Sequence, residues 1–256
     1  MKRPLVEAIF ELRWGGAGAA AAAAAYPVLS GRFFERVKPA YPVFEPLPSF
    51  IPPMPIPGFP VQPQQRYRKS VGGWPVVQLG DGLLSFHSSN DSYAGWDGFL
   101  TSFGQVCQWL MESIPDAATF HIDVAALRYL DAIPFDYNAN DVTAFLRKSL
   151  GLSLGFPPGF FADGKMASGA RKLNWQVGFP CHEPAGMAHV SVQLGKHRGN
   201  DAIILESSLV SEAQTTIRNV LDDWATAAHD VVVNKIFKTM LQGMREDYPD
   251  VFIHSI

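Results

Sequence analysis

The sequence predicts an α+β protein in which two β-α-β-β-β-α pseudo-repeats form one curved antiparallel sheet with helices on one face. Three observations point there. The order strand, helix, irregular apolar segment, three strands, helix occurs twice along the chain. A strand leads each half, one with period-two alternation at residues 5–14 and one at residues 124–133. Val77-Gln78-Leu79-Gly80, before the first hairpin turn, returns as Val192-Gln193-Leu194-Gly195 before the second. The halves divide at residues 1–118 and 119–256 and are expected to make one compact unit.

Each element has a local reason. In the first strand Val6, Ala8, Phe10, Leu12 and Trp14 share one face, and Leu5, Glu7, Ile9, Glu11 and Arg13 the other. Seven alanines follow a glycine cluster. They suit a helical extension, a low-complexity loop or a stand-in for other side chains, and the lack of a polar face favours the loop. Pro27 then fits the first turn of a helix carrying Leu29, Phe33, Phe34 and Val37 inward. Ten prolines fall within residues 39–63, so neither a helix nor a central strand is expected there. The segment is greasy, and an extended strap lying against the body or a partner fits it better than a polar linker.

Strands at 66–70 and 74–79 lead through Gly80-Asp81-Gly82 into a hairpin strand at 83–87. Asp91 or Ser92 is placed to cap a helix with Trp96, Phe99, Phe103, Val106 and Leu110 inward. In the second half Asn140 or Asp141 caps a short helix. Strands follow at 172–177, 188–194 and 202–209, and Ser211 with Gln214 reads as a capping box on the closing helix. Ile217, Leu221, Trp224, Ala228, Val231, Ile236, Met240 and Met244 trace its expected inner stripe.

Composition narrows the function. Of 256 residues 47% are hydrophobic and 18% charged, which excludes intrinsic disorder. A net charge of −3 argues against general binding to polyanions. No secretory signal or membrane-length apolar run is evident, so a cytoplasmic protein is expected, with no membrane association. The histidines lack the i, i+4 spacing of a helical zinc site. Cys181-His182-Glu183 reads as a loop tip and Cys107 as core. Phosphate-loop and nucleophile-elbow motifs are absent. No catalytic residue, metal or cofactor is therefore assigned.

Joined edge to edge, two such units leave one sheet face without helices. This resembles TATA-binding-protein-like and helix-grip architectures as a fold-level analogy. Aligning Val6 with Val124 puts Ala126, Arg128 and Leu130 on the Phe10 face, and Ala125, Tyr129 and Asp131 on the charged, open one. Glu7, Glu11, Arg13, Arg128, Tyr129 and Asp131 are the candidate pocket residues, Arg128 as an anion anchor or a structural ion pair. Phe44, Phe50, Ile51, Met54 and Phe59 of the strap are the interface candidates. Arg66-Tyr67-Arg68-Lys69 combines charge with an aromatic, as single-stranded nucleic acid requires.

The segments Pro4-Leu5-Val6-Glu7-Ala8-Ile9-Phe10-Glu11-Leu12-Arg13 and Leu127-Arg128-Tyr129-Leu130-Asp131-Ala132-Ile133 carry a resemblance, joined by His229, Phe237 and Thr239. The chain resembles a sporadically distributed bacterial family of about this length, without an assigned activity, whose members open with a PLVEAIFELR-type strand. The resemblance implies a link to mobile or defence gene cassettes and supplies no catalytic residues. The leading expectation is a non-enzymatic protein-interaction or assembly module, with a protein partner or a homodimer. A small-molecule binder or enzyme with a pocket between sheet and strap is the alternative. A single-stranded nucleic-acid binder comes third.

Overall fold

The computed structural model describes residues 4–15, 19–48, 62–115, 120–157, 159–166, 169–212 and 214–241. The fold is α+β, with four helices and a single nine-stranded antiparallel sheet. In chain order the elements are β1 (Leu5–Arg13), α1 (Ala19–Val37), β2 (Val43–Pro46), β3 (Gln65–Arg68), β4 (Val76–Gly80), β5 (Leu83–Ser89) and α2 (Trp96–Ser113). Then come β6 (Val124–Pro134), α3 (Val142–Leu150), β7 (Asn174–His182), β8 (Ala185–His197), β9 (Asn200–Ser211) and a closing helix α4 over residues 217–240. Across the sheet the strands run β2-β3-β4-β5-β1-β6-β9-β8-β7.

One face of this sheet carries all four helices. On β1 the alternation places Ala8, Phe10 and Leu12 there with no exposed surface. Phe10 stacks on Phe103 of α2 at 4.1 Å between ring centroids and meets Trp224 of α4 edge-on at 5.9 Å. Tyr67 of β3 is fully buried beside Phe33 of α1. Under the other half, Ile133, Val190, Val192, Ile203 and Leu205 pack on Leu146 and Leu150 of α3 and Phe237 of α4. Burying apolar surface at about 25 cal/mol per Å² makes this one-sided layer the main source of stability.

Several local expectations give way to the structure. The alanine run is the opening of α1, so Pro27 lies inside that helix and not in its first turn. Alanine's helix propensity prevails over the missing polar face. Helix α2 begins at Gly95 without a side-chain cap. Ser92 bonds instead to the Ser88 and Ser89 hydroxyls. Asp141 does cap α3, accepting from the Thr143 and Ala144 amides, and Gly151 closes it in the left-handed region. Ser211 ends β9, its hydroxyl accepting from the Ala125 amide at 2.8 Å, and Thr216 caps α4. Cys181 and His182 belong to the end of β7 and not to a loop tip.

The inner stripe of α4 is also displaced. Val220–Trp224 and Asp230–Phe237 are wound as π-helix, with the Ala225 amide bonded to the Val220 carbonyl and Lys238 to Val233. Wider turns shift the buried line, because each holds more residues than an α turn. Ile217, Val220, Ala225, Ala228, Val232, Val233, Phe237 and Leu241 are buried, while Leu221, Trp224, Val231 and Ile236 are half-buried. Met244 lies outside the described residues.

The start of the strap forms β2, an edge strand, where proline is tolerated. Its end returns along β3: the Gln64 amide bonds to the Leu79 carbonyl and the Leu47 amide to Gln64. Gly80 accommodates the crossing, since a Cβ there would collide with the Gln62 carbonyl. Phe50, Ile51, Met54 and Phe59 lie outside the described residues, and Phe44 is 44% exposed against Phe34 and Tyr67.

Two measurements check this core. Phe10→Ala removes the ring between α2 and α4, and the expected loss is about 3–5 kcal/mol in urea unfolding. Tyr41 is buried, and burial pushes its phenol up to about 12 from an ordinary 10. The folded state thus holds this proton more tightly than the unfolded chain. Its contribution is complete below pH 10 and is lost as pH rises through 12. An ultraviolet tyrosinate titration alongside alkaline unfolding is expected to show both effects in that window.

Candidate functional site: the uncovered sheet face

Among the described residues no helix packs on the opposite sheet face, the uncovered face hereafter, although Val76, Leu83, Ser85 and Ser208 on it are no more than 4% exposed. Its residues follow from the same alternation. Cross-strand partners share a face, so the register assigns Glu7, Ile9, Glu11 and Arg13 of β1 to it, with Ser89, His87, Ser85 and Leu83 of β5 beside them. On the far side of β1 stand Leu130, Arg128, Ala126 and Val124 of β6, followed by Glu206, Ser208 and Val210 of β9. Arg66 and Arg68 of β3 and Glu45 of β2 extend the face to one edge, and His189 and Ser191 of β8 extend it toward the other.

The candidate residues divide between the faces. Glu7, Glu11, Arg13 and Arg128 lie on the uncovered one. Tyr129 and Asp131, expected there, lie on the helix side, and Arg128, expected beside Phe10, does not. The actual register sets Phe10 opposite Leu127, and Ile9 opposite Arg128. Strand β6 carries apolar residues on both faces, Ala125, Leu127 and Tyr129 on one and Ala126 and Leu130 on the other, and one charge on each, so its alternation carries little phase. Tyr129 is buried, its hydroxyl 2.9 Å from that of Tyr93 and its ring beside His229, which stacks on Trp96 at 4.2 Å. Asp131 is fully buried.

The charges on the uncovered face are matched within it. Arg13 Nε donates to Glu11 at 2.6 Å, and Arg128 Nε lies 3.2 Å from Glu206. Arg68 Nε and Arg66 Nη1 both reach Glu45, at 3.0 and 3.5 Å. His87 Nδ1 lies 2.7 Å from Glu7 Oε1, and its Nε2 lies 2.8 Å from Ser85 Oγ. Arg66 and Arg68 of the basic stretch nominated for nucleic acid are therefore held by Glu45, while Tyr67 is fully buried on the helix side, where no base can stack on it.

Sequence reasoning missed Ser85, His87, Glu206 and Ser208 as face residues. The signal for the first two was their i, i+2 spacing, read only as part of a hairpin. Ser85, His87 and Glu7 have the connectivity of nucleophile, base and carboxylate. Ser85, however, is only 2% exposed and sits mid-strand between Glu11 and Gln78, in the interior of the β1–β5–β4 ladder. The chain orients an imidazole here and buries the hydroxyl.

On the other side of the molecule a groove of about 530 Å³ runs between α2 and α4, lined mainly by Cys107, Met111, Phe120, Ile217 and Leu221. Burial pushes the Cys107 thiol far up, so it stays protonated. No described helix is long and apolar enough to cross a membrane. No protein-family model, curated protein or solved structure matches this chain.

Exposure decides which contacts on the face carry weight. Glu7→Ala strips a half-buried imidazole of its partner, and the expected loss is about 1–3 kcal/mol. Arg128→Ala breaks a pair whose side chains are 43% and 32% exposed, and less than about 1 kcal/mol is expected. Chemical denaturation of both variants tests the ranking.

Proposed function

We propose that the chain is a non-enzymatic, cytoplasmic protein-binding module, and that the uncovered sheet face is its recognition surface. The observation that carries this reading is the balance of charge on the face. Glu7, Glu11, Glu45 and Glu206 are each paired with His87, Arg13, Arg66 and Arg68, or Arg128. A face neutralised from within offers phosphate no field, and duplex or single strands bind chiefly through that field. A protein surface, by contrast, matches a mosaic of paired charges and apolar residues such as Ile9, Leu130 and Val210.

The strand order supports descent from a duplicated unit. Outward from the central pair, β1-β5-β4-β3 on one side matches β6-β9-β8-β7 on the other, with helices following β1 and β5 in the first set and β6 and β9 in the second. The first half adds β2. We read this order as a β-α-β-β-β-α repeat in a TATA-binding-protein-like arrangement, an analogy of fold and not of ligand. The resemblance to a scattered bacterial family fits a partner encoded in the same mobile or defence cassette. A pocket for a small ligand is the second reading, with the Glu7–His87–Ser85 corner as its polar element.

Affinity purification from the native host, with wild-type chain and an Ile9→Arg variant side by side, tests the proposal. A protein retained at stoichiometric level by the wild type is expected to fall at least about tenfold with the variant, roughly 1.4 kcal/mol, at unchanged melting temperature. Equal recovery by both, or co-purification of nucleic acid in place of protein, would overturn it.

A further inference from the structure

The sheet has two edges, and their chemistry differs. Strand β2 has four residues, includes Pro46, and holds Glu45 against two arginines. Short length, proline and charge are the usual protections of an edge. Strand β7 has nine residues, Asn174 to His182, with no aspartate, glutamate, lysine or arginine among them. Phe179 is 54% exposed, and among the described residues no strand pairs with the outer side of β7. Pro180 interrupts only one end of it.

The geometry points to a second copy of this chain as the occupant, paired antiparallel, β7 to β7, about a two-fold axis at Gly178. An antiparallel edge is complementary to itself under such an axis. Centred there, Trp175 faces Cys181 of the second copy, Val177 faces Phe179, and Gln176 faces Pro180. Trp175, Val177, Phe179 and Cys181 all lie on the helix side of β7, because their β8 partners Val192, Val190, Ala188 and Gly186 share one face. Apolar side chains thus meet apolar ones, the two helix-covered layers become continuous, and no like charges stand opposite each other. Gly178 leaves the axis free of side chains on the other face. Beneath the edge lies a groove of about 410 Å³, lined by Phe179, Cys181, Ala188, Val231 and Ile236 together with His182, Glu183 and Lys235.

Sedimentation velocity of the full chain over a concentration series is expected to show a dimer, twice 28.1 kDa. Val177→Lys sets a charge against Phe179 of the second copy twice per dimer, and a monomer is expected. Trp175→Cys is expected to give an oxidised, disulfide-linked dimer that Cys181→Ser abolishes. Within one chain these two positions are about 20 Å apart along the strand, outside disulfide reach. A wild-type monomer at every concentration, a dimer indifferent to Val177→Lys, or cross-linking that survives Cys181→Ser would each overturn the inference. Should Val177→Lys fail to fold, the Trp175→Cys cross-link decides alone. A monomer would leave the partner-binding reading standing, since that rests on the sheet face and not on its edge.

Discussion

The pairing of β1 with β6 is the constraint on which the molecule depends. These strands lead the two halves, and joining them turns two sheets into one and removes two open edges at once. Their shared register also settles which residues meet the helices. With Phe10 opposite Leu127 and Ala8 opposite Tyr129, the buried layer runs unbroken beneath α2 and α4. A shift of one residue would turn every side chain of β1 to the other side, exchanging Phe10 for Glu11 in the core.

That constraint explains why the opposite side is polar without being charged in sum. A sheet covered on one face alone leaves strand residues half-exposed on the other, and half-exposed ionic groups are best held close to partners. The arginines and glutamates have found one another along β1 and across neighbouring strands, and the imidazole of His87 is fixed on both nitrogens. The face is consequently pre-arranged: little side-chain entropy remains to be lost when a surface of matching shape settles on it.

Much of this architecture was legible in the amino-acid sequence. The α+β class, the hairpin at Gly80-Asp81-Gly82, the Asp141 cap and the one-sided burial of β1 follow from periodicity and turn chemistry. The failures have separate physical causes. Strand β6 carries apolar residues on both sides, so its phase had to come from pairing with β1. The stripe of α4 assumed 3.6 residues per turn, and the π segments break that count. The alanine run has no amphipathic signal at all, although its propensity is high. Within the candidate site Glu7, Glu11 and Arg13 were nominated from alternation and charge, and Arg128 as a charge out of place on the face it was expected to share with Phe10. Ser85 and His87 were not, because a hydrogen-bonded ladder depends on neighbours distant in sequence.

The additional strand β2 gives the two ends of the sheet unlike characters. A perfectly duplicated platform would look the same from either end, and an elongated molecule could lie across it in two opposite orientations with equal ease. Here one terminus is a proline-stiffened rim clasped by Glu45, Arg66 and Arg68, and the other is the uncharged β7, which no further described strand pairs. Whatever lies along this surface therefore meets a built-in polarity, a head and a tail.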